Sequence, residues 1–292
     1  MKMGIVTRNE RSWCSLQLQK AMRRRNITPL CFRFRQLVAR VGYRPKASVN
    51  GGDLLQELSA LIVRPIGRGS LEEIIFRMDL LYRLQRSGML VVNPPLAIER
   101  SVDKYRALTL LEERGLPVPR TAVTESYREA LKAFHELGGD VVVKPLFGSR
   151  GVGSTRVSDP EVADRIFRAL AFQHEVLYLQ EFIPHGNLDI RAFVVGGRVV
   201  ASMYRVARGW KTNISRGAKP VPARLSGELE RLAVEAAEVL GCEVAGVDIL
   251  ESEKGPYIVE VNSQPGWRGL QSVAPVNIAD EIVGHILSRV RR

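Results

Sequence analysis

Asp248, Glu260 and Asn262 fall in two short runs, Gly246-Val247-Asp248-Ile249-Leu250 and Ile258-Val259-Glu260-Val261-Asn262, whose apolar flanks predict neighbouring strands. Side chains two residues apart on a strand share a face, so Glu260 and Asn262 project together and Asp248 can join them from the partner strand. Two carboxylates and an amide oxygen on a rigid sheet suit a hard cation such as Mg²⁺, which takes oxygen ligands and nucleotide phosphates. The competing reading is a solvent-facing polar stripe. It fits poorly beside Gly246, Val247, Ile249 and Val261, because acids among apolar residues usually have a partner or a metal.

A second constellation lies upstream. Val141-Val142-Val143-Lys144-Pro145 runs into Gly148-Ser149-Arg150-Gly151-Val152-Gly153. A buried strand would deliver Lys144, and Gly148, Gly151 and Gly153, with Ser149 between them, would let backbone N–H groups approach phosphate. No GK[ST] opens a helix here, and the GxxGxG spacing differs from the dinucleotide fingerprint. A glycine-rich turn alone is more often a plain turn; the strand-borne lysine strengthens the phosphate reading. Between the two constellations stand Asp189-Ile190-Arg191, Arg205, Trp210-Lys211-Thr212-Asn213 and Arg216-Gly217. Their cations and amides could hold phosphates and carboxylates, arginine bidentately. Ordinary surface charge is an equally good account of Arg191 and Arg205. No Ser-His-Asp or Cys-His arrangement competes, which suits phosphoryl transfer by positioning and charge neutralisation.

The elements that must carry these groups follow from hydrophobic period and punctuation. Strands are predicted at Lys2–Thr7, Ile27–Phe32, Ala60–Val63 and Met89–Val92, with helices at Ser12–Arg25 and Ser70–Gln85. That alternation predicts a parallel α/β sheet, closed by the break at Asn93-Pro94-Pro95. Helices follow at Asp103–Arg114, Ser126–Leu137 and Pro160–Phe172, the last capped by Asp159, with strands at Asp140–Pro145 and Val176–Glu181. Beyond Pro184 the chain turns strand-rich: a hairpin Asp189–Val195/Val199–Val206 around Gly196-Gly197, a helix Ser226–Leu240, a second pair Val244–Glu251/Pro256–Val261, and a helix Asn277–Val290. The expected division is 1–95, 96–184 and 185–292.

Composition bounds the class. Three separated cysteines, Cys14, Cys31 and Cys242, argue for reduced thiols rather than a disulfide frame or zinc knuckle. No apolar run approaches the roughly 18 residues of a bilayer span, and Met1–Thr7 lacks a signal peptide's core; a soluble cytoplasmic protein is expected. Residues 1–100 carry 18 Lys/Arg against 7 Asp/Glu, a net of +11, whereas the other 192 carry 25 against 24, a net of +1. An anion-binding surface is one reading of that excess, and arginine-rich coding on solvated faces is the blander one. A nucleic-acid binder fits poorly, since no aromatic RNP strand or basic recognition helix is present.

The ordered motifs resemble the ATP-grasp superfamily, specifically its RimK-like α-L-glutamate ligase branch. The resemblance rests on Val102-Asp103-Lys104, Lys144-Pro145 with its glycine loop, Gln180-Glu181-Phe182-Ile183, Asp189-Ile190-Arg191, Asn213 with Arg216-Gly217, Ala245–Leu250 and Glu260-Val261-Asn262-Ser263. It implies a three-part fold: an N-terminal parallel α/β domain and two α+β lobes clasping ATP. It also implies roles. Lys104 and Lys144 contact ATP phosphates, Glu181-Phe182-Ile183 form the adenine hinge, and Asp189 lies at the nucleotide. Lys211, Thr212 and Asn213 approach phosphates or substrate. Asp248, Glu260 and Asn262 hold two Mg²⁺, for which Mn²⁺ can substitute, and Arg191 and Arg205 neutralise an acyl phosphate. Ala201–Val206, Trp210–Asn213, Asn262–Trp267 and Val276–Asp280 are closest to the tetrahydromethanopterin:α-L-glutamate ligases. L-glutamate would then be joined to a polyanionic pterin acceptor; a protein C-terminus or a carrier protein is the alternative. Trp267 stacks on the pterin or sits in the core, and Arg216 and Arg268 attract substrate. The branch further implies a homodimer or homotetramer.

Overall fold

A computed structural model describes residues 1–148 and 151–290. In the N-terminal third, β1 (Lys2–Val6), α1 (Trp13–Arg24), β2 (Thr28–Phe32), β3 (Leu37–Ala39), β4 (Ala47–Val49), β5 (Gly52–Asp53), α2 (Leu54–Glu57), β6 (Ala60–Val63), α3 (Leu71–Arg86) and β7 (Leu90–Val92) follow in order. The sheet order is β2-β1-β6-β7, all parallel, as the alternation of strands and helices requires. The small antiparallel sheet β3-β4-β5 was not anticipated from the sequence.

The middle third holds α4 (Pro95–Val102), α5 (Lys104–Glu113), β8 (Thr121–Thr124), α6 (Tyr127–Glu136), β9 (Val141–Lys144), β10 (Thr155–Val157), α7 (Pro160–Phe172) and β11 (Leu177–Glu181). Its sheet is antiparallel, ordered β10-β9-β11-β8. The last third holds β12 (Leu188–Val195), β13 (Arg198–Val206), β14 (Lys219–Pro222), α8 (Gly227–Leu240), β15 (Val244–Ser252), β16 (Gly255–Asn262), α9 (Arg268–Gln271) and α10 (Ile278–Val290). The two hairpins expected there merge into one sheet, β14-β13-β12-β15-β16. Helix starts follow side-chain chemistry: Ser12, Ser70, Asp103, Ser126, Asp159 and Ser226 each accept a backbone N–H of their helix's first turn, worth about 1 kcal/mol apiece.

The N-terminal sheet shares a core with the last third. Met3, Ile5, Leu18 and Met22 pack in one cluster with Phe193, Val195, Trp267, Ile282 and Ile286. Arg24 and Arg25, at the end of α1, both pair with Asp280 at the start of α10. Asn93, read as part of a break, is buried and brackets the two sheets. Its amide donates to the carbonyls of Val244 and Ser263, and its oxygen accepts from the N–H groups of Glu243 and Val244. No described helix is long and apolar enough to cross a membrane.

Candidate active site

Between the middle and last lobes lies a cleft of about 910 Å³ counting its open mouth, within the ~300–1,000 Å³ usual for small-molecule sites. β15 and β16 supply its acidic end. Asp248 stands directly opposite Glu260, and the register then slips so that Val259 has no partner. Such bulges are over-represented beside active sites, where they re-aim a side chain. Asn262 follows on the face of Glu260 but lies outside the residues that line the cleft.

Asp248 is held by two arginines from the neighbouring strands. Arg191 on β12 makes a bidentate contact, its Nη2 at 2.9 Å, and Arg205 on β13 reaches the same carboxylate at 3.0 Å. Arg205 also grips Asp189 with both nitrogens, Nε at 2.7 Å. The result is a buried row of alternating charge, Asp189–Arg205–Asp248–Arg191. Burial alone would raise the Asp248 carboxyl, but Arg191 and Arg205 hold it below the usual carboxylate range. Burial would lower Arg205, and Asp248 and Asp189 outweigh it, so the guanidinium stays charged. The reading of Arg191 and Arg205 as loose surface charges is thereby excluded. Glu260 has a different environment: burial pushes its carboxyl up, Asp248 opposite adds to this, and Lys104, Arg191 and Lys144 oppose it.

The basic end comes from α5 and β9. Lys104, the first residue of α5, donates to the carbonyls of Leu146 and Gly148, at 3.2 Å each. Lys144, the last residue of β9, donates to the Gln180 side chain. Burial, reinforced by Lys104, pulls the Lys144 ammonium down to about 8. The segment after β13 then closes on the glycine loop: Lys211 donates to the Ser154 carbonyl, and Arg216 to that of Gly151 at 3.0 Å. Gly151 has φ +65°, and a Cβ there would come within 2.3 Å of Asn213 Oδ1. Only glycine fits that approach. Gly148 and Gly153 pack on Pro145; Ser149 lies outside the described residues. Thr212 also lines the cleft.

At the end of β11, Glu181 lines the cleft with its carboxylate held by Arg120. Phe182 is stacked by the Arg156 guanidinium at 3.5 Å and meets the Trp210 edge at 6.3 Å, with Ile183 and His185 beside it. Sequence reasoning gave no site role to Gln180, Arg156 or His185. Gln180 had a signal, being an amide that directly follows the apolar run Leu177–Leu179; Arg156 and His185 had none.

Two expectations need correction. Trp267, left between a pterin platform and a core residue, is core: 1% exposed, edge-on to Trp13 and Phe193, with Arg64 over its face at 4.8 Å. It therefore has no free face on which a ligand could stack. Arg268 is exposed at the start of α9 and does not line the cleft.

The donor set fits a hard cation. Asp248 and Glu260 offer carboxylate oxygens and Asn262 an amide oxygen, the ligand type Mg²⁺ takes; among the described residues no three His, Cys, Asp or Glu side chains gather.

The comparisons agree with this geometry. Residues 101–286 match the family described as the RimK-like ATP-grasp domain. The chain is 35% identical to a tetrahydromethanopterin:α-L-glutamate ligase of Methanococcus maripaludis, covering 99% of this chain and 98% of that protein. It is 39% identical to the corresponding ligase of Methanocaldococcus jannaschii over 81% and 82%. Among solved structures, the ATP-grasp ligase PsnB complexed with a minimal precursor, Mg and ADP superposes with a TM-score of 0.78 at 21% identity, covering 99% and 98%. The fold is that of the ATP-grasp ligases, and the chain belongs to the RimK-like ATP-grasp family.

Proposed function

We propose that this chain is an ADP-forming ligase that joins the amine of L-glutamate to a carboxylate of a tetrahydromethanopterin-type pterin. One observation carries the reading. Lys104, Lys144, Asp248 and Glu260 converge on one cleft that Gly148 and Gly151 of the glycine loop also line. Similarity over 99% and 81% of the chain to two proteins named as tetrahydromethanopterin:α-L-glutamate ligases supports the acceptor.

In this reading ATP lies with its adenine on the backbone of Glu181–Ile183 against Phe182, and its phosphates between Lys104, Lys144, the glycine loop and Lys211–Asn213. Asp189 serves the nucleotide's sugar side. Asp248, Glu260 and Asn262 would hold Mg²⁺, two ions in the full site with Mn²⁺ as a substitute. When bound there, the metal screens repulsion between phosphates and carboxylate. A carboxylate oxygen of the acceptor attacks the γ-phosphorus, and the bond to the bridging oxygen breaks with its electrons leaving on ADP. Arg191 and Arg205 stabilise the charge that develops. The neutral glutamate amine then attacks the acyl carbon, phosphate leaves, and the surplus proton passes to solvent. Arg216, held on the Gly151 carbonyl of the glycine loop, faces the incoming substrates.

The test is ADP release by purified protein with Mg-ATP and L-glutamate. Acceptors are added one at a time: tetrahydromethanopterin, a folate, and acidic peptides ending in glutamate. ADP release with a one-glutamate mass gain on the pterin alone is expected. Turnover on peptides alone would move the acceptor to a protein C-terminus or carrier, and no ATP binding would remove the reading altogether.

A further inference from the structure

The order β2-β1-β6-β7 places the reversal of winding between the carboxyl ends of β1 and β6. Open parallel sheets bind ligands at that crevice. Four arginines stand along this edge: Arg8 just past β1, Arg33 directly after β2, Arg64 directly after β6, and Arg68 beyond it. Arg8 lies against Gly67 of the loop that carries Arg68. Among the described residues none of these four has a carboxylate partner within 4 Å. Arginine-rich coding on solvated faces does not account for Arg64, which is 7% exposed. A buried guanidinium without a counter-ion is costly.

The surroundings are short of acceptors as well. Arg64 spends one nitrogen on the Pro265 carbonyl at 2.8 Å. Arg33 Nε, Gln264 Nε2 and Trp267 Nε1 are buried donors with no hydrogen-bond partner among the described residues. α1, capped by Ser12, starts beside Arg64 through Cys14 and has no acid in its first turn to offset its positive end. The edge is also joined to the reaction centre. Pro265 packs on Gly246, where a Cβ would come within 2.9 Å of Pro265 and 2.7 Å of Arg191 Nη1. Arg191 in turn holds Asp248.

We infer that Arg8, Arg33, Arg64 and Arg68 form a subsite for a substrate bearing more than one carboxylate, orienting it so that its reacting end points at Arg191. This rests on the ligase reading above and adds to it the residues that select a polycarboxylate. The carboxylates belong either to the pterin acceptor's side chain or to free L-glutamate, and kinetics separates the two.

Arg8 and Arg68 are exposed, so the double variant Arg8→Gln/Arg68→Gln removes charge without opening the core. Losing two charge-assisted contacts should raise one substrate's KM about tenfold or more, with kcat and the KM for ATP unchanged. A rise confined to the acceptor assigns the subsite to it, and a rise confined to L-glutamate assigns it there. Unchanged KM for both overturns the inference. Arg64→Lys, compared with Arg64→Gln, checks the buried member: retained affinity in the lysine variant alone marks charge recognition. Titration calorimetry with an α-linked triglutamate peptide and Mg-ADP keeps the test independent of turnover. Binding by the native protein that the double variant loses upholds the subsite even without ligase activity; equal binding by both, or none by the native protein, overturns it.

Discussion

Arg205 holds Asp189 and Asp248 with one guanidinium, tying the proposed nucleotide side of the cleft to the proposed metal side. Arg205 is 5% exposed and each acid is buried, so removing it strands two carboxylates in a low dielectric. Breaking such a network by deleting one partner costs about 3–5 kcal/mol. Arg205→Leu should therefore lower the thermal midpoint by many degrees and abolish turnover together. A variant that folds at native temperature would show that the row of charges is not structural.

Glu260 is the acid of the pair with no arginine clamp, so Glu260→Gln should fold normally. It is expected to lose at least about a hundredfold in kcat, since it removes a charge directed at the reaction centre. Melting and ADP release, measured on the same preparation, decide. Native kcat would remove Glu260 from the proposed metal site.

Burial pulls the Lys144 ammonium down to about 8, and phosphate beside it would raise that value. ATP binding at pH 8 should therefore take up protons. Affinity should fall as pH rises through 8, by up to about tenfold per unit. Calorimetry in buffers of different ionisation enthalpy reads the uptake. Lys144→Gln should weaken binding and flatten the pH dependence, whereas an unchanged profile would place Lys144 away from the phosphates.

Trp267 fills space between Trp13 and Phe193. Trp267→Ala should cost about 3–5 kcal/mol of stability, and Trp267→Phe much less. Chemical denaturation measures this. A stable Trp267→Ala protein with a raised acceptor KM would restore the stacking role.

Much of this was legible in the sequence, for definite reasons. Pro160–Phe172 was read to its ends because Asp159 caps it and Pro160 fits its first position. Lys144, Asp248 and Glu260 stood out because strand alternation sets a charge among apolar neighbours. What escaped was weakly patterned or non-local. β8 is four residues, Thr-Ala-Val-Thr, half polar. β14 carries Pro220 and Pro222, tolerated because it is an edge strand. The fate of Trp267 depended on Trp13 and Arg64, far away in the chain, and the clamp on Asp248 depended on β12 lying between β13 and β15.

The most direct test of the central claim follows oxygen. An acceptor that supports turnover is labelled with ¹⁸O in its carboxylates and incubated with Mg-ATP and L-glutamate, and the released phosphate is analysed by mass. Attack of the carboxylate on the γ-phosphorus predicts one ¹⁸O in each phosphate formed. Unlabelled phosphate, with amide still made, would contradict the acyl-phosphate route and with it the assignment of the cleft.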